Sequence, residues 1–451
     1  MAEADLLDLA LKCVRLAEAE GAEEAEAYLS RLKTVSASLE NSQLVKAKTA
    51  WEEGIGVRIS LQGRIGFAYT NQASNSALAE TVRKALKLAK VSQPDKDWRG
   101  FPARSRYPKP SGLYDGEVAS AEVETAIGMA SEMLNAALKV DRRIIASEGG
   151  VSLAVEERAI ANSLGVEACE KATWARCFLE AVAKEAGETT PSCHEFDASR
   201  SLRLDLEKVG VEAARLAVSA LGAGRGEDGR FSIVFGQHAL LDLLSYTLMP
   251  AFKADNVQRG RSPLKGKLGK PVASKILTIV DDGLMEGGLH SWGFDDEGSP
   301  ARRTTLVEHG ILKGFLYDHY RAGKDGVSST GNAFRPASYA STPIIDPTNF
   351  RIEPSTKSVE SLLGEVGEGY YVPFLQGAHS SSLESGEFSV VAAPAWKIEG
   401  GVLAKPVRSI MLAGTIYEAL ENLAGLASNL RSVGMLVAPW VWVENVKVVG
   451  G

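Results

Sequence analysis

The sequence predicts an α+β protein: an N-terminal α/β region of two similar helix-strand units, followed by a β-rich C-terminal sandwich or barrel-like domain with helical inserts. Three observations lead there. Within the first 222 residues, apolar residues recur at helical spacing and then at strand spacing, and this succession happens twice. The stretch Gly222-Ala223-Gly224-Arg225-Gly226-Glu227-Asp228-Gly229 reads as a hinge near the middle of the chain. Beyond it, short strand patterns bounded by Gly, Asn and Asp turns dominate, and few helical patterns interrupt them.

The first unit, residues 1–92, opens with Leu6, Leu7, Leu9, Ala10, Val14, Leu16 and Ala17 as a helical stripe. Eight acids against two bases in residues 1–28 give this helix a solvated acidic face. Alternation over residues 25–39 predicts a strand, Glu40-Asn41-Ser42 a turn, and the segments 54–60 and 66–69 two further strands after a short one. Ser74 or Asn75 caps a helix carrying Leu78, Val82, Ala85, Leu86 and Ala89. Residues 93–112, with Pro94, Pro102, Pro108 and Pro110, read as a linker. The second unit, residues 113–222, repeats the plan. Val123, Ile127, Ala130, Met133, Leu134 and Ala137 mark a helix, residues 144–155 a strand, Glu156-Glu157 a turn, residues 159–161 and 169–183 strands, and residues 205–221 a closing helix. Ser36-Ala37-Ser38-Leu39-Glu40-Asn41 and Ser152-Leu153-Ala154-Val155-Glu156-Glu157 hold similar positions, which suggests two copies of a helix, four-strand, helix unit. After the hinge at 223–229, residues 230–451 form the C-terminal domain. Its pattern gives strands at 231–235, 276–280, 370–375, 388–397, 402–411 and 441–449, a helix over 237–249, and a hairpin turning at His309-Gly310.

Composition narrows the class of partner. With 45% apolar and 24% charged residues in 451, the chain can bury a large core, and collagen, coiled coil and disorder are excluded. A net charge of -7 opposes non-specific attraction to nucleic acid or anionic membrane. The longest apolar run near the C-terminus, Met435 to Val443, has nine residues and includes Pro439, so it is a buried strand rather than a membrane span, which needs about 20. The opening Met1-Ala2-Glu3-Ala4-Asp5-Leu6 has no secretory n-region, and a cytoplasmic location is expected. Cys13, Cys169, Cys177 and Cys193 form no C-x-x-C pair and read as reduced, buried thiols.

No catalytic signature stands out on residue chemistry. Gly224-x-Gly226-x-x-Gly229 matches a dinucleotide fingerprint in letters but does not sit between a strand and a helix in the required order. The segment 260–268 has five residues between its glycines and Leu268 where a phosphate loop needs Ser or Thr. Seven basic residues between Lys253 and Lys275, against Asp255, form a solvated loop or a local positive patch without interleaved aromatics for base stacking. His194-Glu195 has no second histidine at zinc-peptidase spacing and reads as a loop. His238 and Asp242 read as a pair on a helix surface. The polar, glycine-rich segments Asp281-Asp282-Gly283, Phe294-Asp295-Asp296-Glu297-Gly298, Thr330-Gly331-Asn332 and Gly377-Ala378-His379-Ser380-Ser381 read as tight turns. His379 beside Ser380 is open to a nucleophilic reading.

Those segments, in that order, together with Gly54-Ile55-Gly56-Val57-Arg58, Gly63-Arg64-Ile65-Gly66-Phe67-Ala68, Asn162-Ser163-Leu164-Gly165 and His309-Gly310-Ile311-Leu312-Lys313-Gly314, resemble the TldD/PmbA family, the modulators of DNA gyrase also associated with metal-dependent proteolysis. The resemblance spans nearly the whole chain. TldD-like chains carry H-E-x-x-x-H on a helix and a cysteine ligand nearer the C-terminus. Here the matching helix begins Gln237-His238-Ala239-Leu240-Leu241-Asp242, and Gly377-Ala378-His379-Ser380-Ser381 stands at the cysteine segment, as in PmbA (TldE)-like chains. The resemblance therefore implies a subunit with no metal ligands or catalytic residues of its own. Zinc is expected in a TldD-like partner, and the complex would cleave unfolded or short peptides. It implies a peptide-binding or chamber-lining role for Thr330, Gly331, Asn332, Gly377, Ala378, His379 and Ser380. Two rival readings remain open: a homo-oligomeric regulatory scaffold acting on a topoisomerase, and an independent hydrolase with its site near His379.

Overall fold

A computed structural model describes residues 5–451; residues 1–4, part of the opening hexapeptide read above, lie outside the described residues. Asp5 caps α1 (Leu6–Ala19) by accepting from the Leu7 amide, and Leu6, Ala10, Cys13, Val14 and Ala17 turn one face inward. β1 (Glu24–Glu40), β2 (Gln43–Leu61) and β3 (Arg64–Thr70) follow as an antiparallel meander. α2 (Asn75–Val91) begins at the Ser74 cap. After the short α3 (Gly116–Ser120) the plan recurs as α4 (Val123–Val140), β4 (Ile144–Asn162), β5 (Glu167–Glu185), the two-residue β6 (Glu188–Thr189), β7 (Cys193–Ser199) and α5 (Leu206–Ser219).

β1 and β4 pair antiparallel, with Ser36 opposite Ser152, so the two units complete one sheet in the order β3-β2-β1-β4-β5-β7. Strand alternation then sorts the side chains. Ala25, Ala27, Leu29, Val35, Ala37 and Leu39 of β1 all point to the helix-covered face, where α1 and α2 close one end of the sheet and α4 and α5 the other. Glu26, Tyr28, Ser36 and Ser38 point to the opposite face.

The first unit has three strands where the sequence suggests four, and strands in both units run longer than expected. β2 runs unbroken from Gln43 to Leu61, joining two segments read as separate strands. β4 passes straight through Glu156-Glu157, read as a turn. The physical reason is local charge pairing: Glu157 lies 3.6 Å from Arg31 on β1 and 3.3 Å from Lys171 on β5, so adjacent carboxylates remain within a strand. Conversely, residues 388–397 and 402–411 each split into two strands, at Pro394 and at Arg408-Ser409. Three cysteines are buried, but Cys169, expected inside, is exposed.

The glycine-rich stretch is tied down along its length. The Gly224 amide donates to Pro406 O, the Arg408 amide donates to Gly224 O, and the Glu227 amide donates to the Tyr370 hydroxyl. It leads into β8 (Gly229–Phe235), which pairs parallel with Gly369–Val372 and antiparallel with Val441–Gly450 in a curved half-barrel sheet. α6 (Gln237–Tyr246) follows. Val234, Tyr371, Trp396, Ile398 and Trp442 of this region share one core with α4 and α5. Among the described residues no helix is long and apolar enough to cross a membrane.

On the other face of the first sheet, ionic groups hold loops of the C-terminal region. Glu26 is fully buried; its carboxylate accepts from Arg58 Nε and Nη2 at 2.8 and 2.6 Å and from Arg335 Nη2 at 2.5 Å. Arg58 also reaches Glu297 at 3.0 Å, and Glu297 accepts from the His319 amide. Residues 93–112 thread the same junction: Asn162 Nδ2 donates to Pro102 O and the Tyr107 hydroxyl to Gly298 O. A buried charge network of this kind tolerates the loss of no single member. Glu26→Ala is expected to lower the unfolding free energy by roughly 3–5 kcal/mol in urea titration. Glu53→Ala, which removes a half-exposed partner of Arg31, should cost less than about 1 kcal/mol.

Candidate functional site

The residues singled out in the sequence fall in two places. Thr330, Gly331 and Asn332 form a polar knot beside the strand Ile279–Asp282. The buried Asn332 donates from Nδ2 to Asp281 Oδ2 at 2.7 Å and to Asp346 O at 3.0 Å, and its Oδ1 accepts from the Thr330 hydroxyl at 2.6 Å. Asp281 also accepts from the Thr348 amide and hydroxyl; burial pushes its carboxyl up to about 6 despite these donors. Gly331 has φ +75°, and a Cβ there would stand 2.5 Å from Pro300 O, so this glycine is a requirement of close backbone approach. The adjoining cavity, lined by Gly331 and Asn332, holds about 80 Å³, room for a few waters and not for a peptide. Asp295, from the acidic segment, uses both oxygens to close this turn, accepting from the Glu297, Ser299 and Ala333 amides.

Gly377 to Ser380 form a left-handed turn and a single 3₁₀ turn packed against α6. Ala378 is buried, His379 and Ser380 exposed. Ser380 lines a groove of about 690 Å³ with Ser382, Glu387, Ser389, Glu418 and Asn422. The two clusters therefore belong to separate cavities. The Ser380 hydroxyl donates to Gly377 O at 2.7 Å rather than to His379, so the adjacent His and Ser do not form a base-nucleophile pair.

A third constellation, unmarked as such in the sequence, joins the two halves of the molecule. His194-Glu195 lies on β7, not in a loop, because Cys193–Ser199 pairs with β5. There it meets α6. The His194 and His238 rings stand edge to face at 4.8 Å between centroids, and His194 packs on Phe374 at 4.0 Å. His238 Nε2 lies 3.3 Å from Glu195 Oε1. The partner of His238 is thus Glu195 from 43 residues away, while Asp242, its expected neighbour, accepts from the Leu375 amide. Arg431 Nη2 donates both to Glu195 Oε1 and to Phe196 O.

The electrostatics follow from that packing. Burial raises Glu195, but the hydrogen bonds from His238 and Arg431 outweigh it and hold the carboxyl down at about 2. Burial, with His238 second, lowers His194 to about 4. At neutral pH the cluster therefore holds a fixed carboxylate, a neutral His194 and a guanidinium. A catalytic zinc takes three protein ligands and leaves a position for water. Here the third donor, Glu195 Oε1, is already engaged by Arg431 and His238, so the set does not fit that ion. Among the described residues, no group of three or more His, Cys, Asp or Glu side chains converges as a metal site. Both depressed pKa values mean that the unfolded chain takes up more protons, so stability is lost as the pH is lowered. The loss from His194 sets in below its ordinary 6.5 and ends near 4; that from Glu195 runs from 4.5 to about 2. Urea unfolding should show a loss on the order of 2 kcal/mol between pH 7 and pH 4 that His194→Gln flattens.

Comparison with known proteins agrees with the resemblance over the whole length. Residues 25–89, 116–221 and 228–450 match, respectively, domain 1, the central domain and the C-terminal domain of the PmbA/TldA metallopeptidases. An uncharacterised protein of Methanocaldococcus jannaschii is 33% identical, over 95% of this chain and 97% of its own. Metalloprotease PmbA of Escherichia coli O157:H7 is 27% identical, over 94% and 92%. The crystal structure of TldE from Thermococcus kodakarensis superposes with a TM-score of 0.93 at 29% identity, covering 98% of this chain and all of that one. With the three domain matches together, and each of these relatives singly, running across both halves of the molecule, the chain belongs to the PmbA/TldD family.

Proposed function

We propose that this protein is a PmbA/TldE-like subunit of a TldD-type peptidase complex, cytoplasmic, without a catalytic zinc of its own, and that it helps to hold unfolded or short peptides for cleavage by a zinc-bearing TldD-like partner. The observation that carries this reading is the Glu195–Arg431–His238 cluster. Where α6 would need a histidine pair and a glutamate directed at an ion, it offers one histidine. The carboxylate that meets His238, that of Glu195, also accepts from the Arg431 guanidinium. Cationic charge is thus supplied by a side chain. The groove that Ser380 lines supports a wall-forming role for the Gly377–Ser380 turn in the complex, whereas Thr330 and Asn332 are engaged in the hydrogen-bond network at Asp281.

The two-fold pairing available to such a chain is with a TldD-like subunit or with itself. The test is reconstitution. Purified chain mixed with a TldD-like subunit should hydrolyse a fluorogenic peptide at least tenfold faster than the sum of the separate proteins, with about one zinc per pair and loss of activity on chelation. Equal rates before and after mixing, or zinc bound stoichiometrically to this chain alone, would overturn the proposal.

A further inference from the structure

The sheet face opposite the helices carries a second cleft, of about 400 Å³, between β4, β5 and β7 and the loops of the C-terminal region. Four arginines line it, Arg158, Arg176, Arg200 and Arg335, against two carboxylates, Glu156 and Asp296. The pairing of these charges is incomplete. Asp296 accepts from Arg158 Nη1 at 2.7 Å, and Arg335 is satisfied by Glu26, Asp296 O and Ser341 O. Arg200 spends its donors on carbonyls alone, those of Thr173, Gly288, Leu289 and Ser291. Arg176 makes no hydrogen bond or ion pair among the described residues; its guanidinium lies 4.4 Å from the Trp174 ring. Arg158 stacks 3.1 Å from the Trp292 ring, and its Nε is buried with no acceptor. Glu156 Oε1 stands 4.0 Å from that same Nε, at ion-pair and not hydrogen-bond distance, and burial raises the Glu156 pKa.

An exposed guanidinium without a carboxylate partner gains from an incoming anion. The form of the cleft selects among anions. Its walls include Trp174, Phe196, Trp292 and Phe334, which suit an apolar body bearing a planar charged end. A planar carboxylate matches the fork of a guanidinium. Arg176 and Phe196 also line an adjoining groove of about 710 Å³ that runs past Ser36, Ser38, Gly150 and Ser152 on the same face. The two cavities thus meet at Arg176 and Phe196.

We propose that the cleft binds a carboxylate carried on a peptide, either its free C-terminus or an Asp or Glu side chain, with Arg176 as the cation and Trp174 and Phe196 as walls. This assignment rests on the reading of the protein as a peptide-holding subunit, and it adds the chemical class that the subunit selects.

The test uses the full chain and calorimetric titration with three hexapeptides of one apolar sequence: the free acid, the C-terminal amide, and the amide with an internal Glu. One of the two charged peptides should bind roughly tenfold or more tighter than the neutral amide, and which one does so identifies the source of the carboxylate. Arg176→Gln, at an exposed position, should erase the preference while leaving the melting temperature unchanged; Arg176→Lys should restore part of it. Equal binding of all three peptides, binding of none, or a preference that survives Arg176→Gln would overturn the assignment. Reconstituted cleavage of the neutral amide isolates the two ideas. Cleavage without a charge preference rejects the cleft alone, and a charge preference without cleavage on mixing rejects the partner-subunit reading alone.

Discussion

Glu26 gives up all contact with water at the centre of the molecule, and the surrounding structure is arranged to make that tolerable. A carboxylate removed from solvent loses several kcal/mol of hydration unless cations and donors replace it. Here Arg58 from β2 and Arg335 from the C-terminal region replace it on both oxygens, and Glu297 returns the favour to Arg58. The geometry is over-determined, because Arg335 is held in addition by Asp296 O and Ser341 O. Buried charges so paired do little for net stability but admit one arrangement. The sheet and the C-terminal loops are thereby set in a single register, and the clefts between them inherit their shape from it.

The His194–Glu195–His238–Arg431 cluster obeys the same rule with another outcome. Its carboxylate is kept ionised by a guanidinium and an imidazole, which disqualifies it as a proton acceptor near neutral pH. Its role is to fix β7 against α6 and so to set the position of Phe374 and the turn after it.

The architecture was legible where periodicity is strong. The apolar stripes of α1, α2 and α4, the closing helix α5, the Glu40-Asn41-Ser42 turn and the His309-Gly310 hairpin all appear where the pattern places them. Strand lengths were not legible, because cross-strand ion pairs such as Arg31 with Glu157 let charged residues sit where a turn is expected. The candidate site was legible only in part. Thr330, Gly331 and Asn332 stood out as a motif, but a motif shows that residues are constrained and not by what; here the constraint is the Asp281 turn network. The meeting of His194 with His238 and Arg431 had no local signal at all, since it depends on two strands and a helix far apart in sequence. The four-arginine cleft is hidden for the same reason.

The central pairing of β1 with β4 has a consequence for how the chain reaches this state. Residue 26 finds its partner at residue 162, so the middle of the sheet closes only across a span of more than 100 residues. Contacts of such range require the ends of a long loop to meet before they contribute anything, which slows folding relative to a chain of local hairpins. During synthesis the first hairpin, β1 with β2, emerges with one edge bare and waits until the polypeptide through β4 has left the ribosome. Nascent molecules therefore pass through an interval in which the alanine-rich inner face of β1 and its hydrogen-bonding edge are both open, and that interval is where chaperone engagement or mispairing between neighbouring chains competes with completion of the sheet.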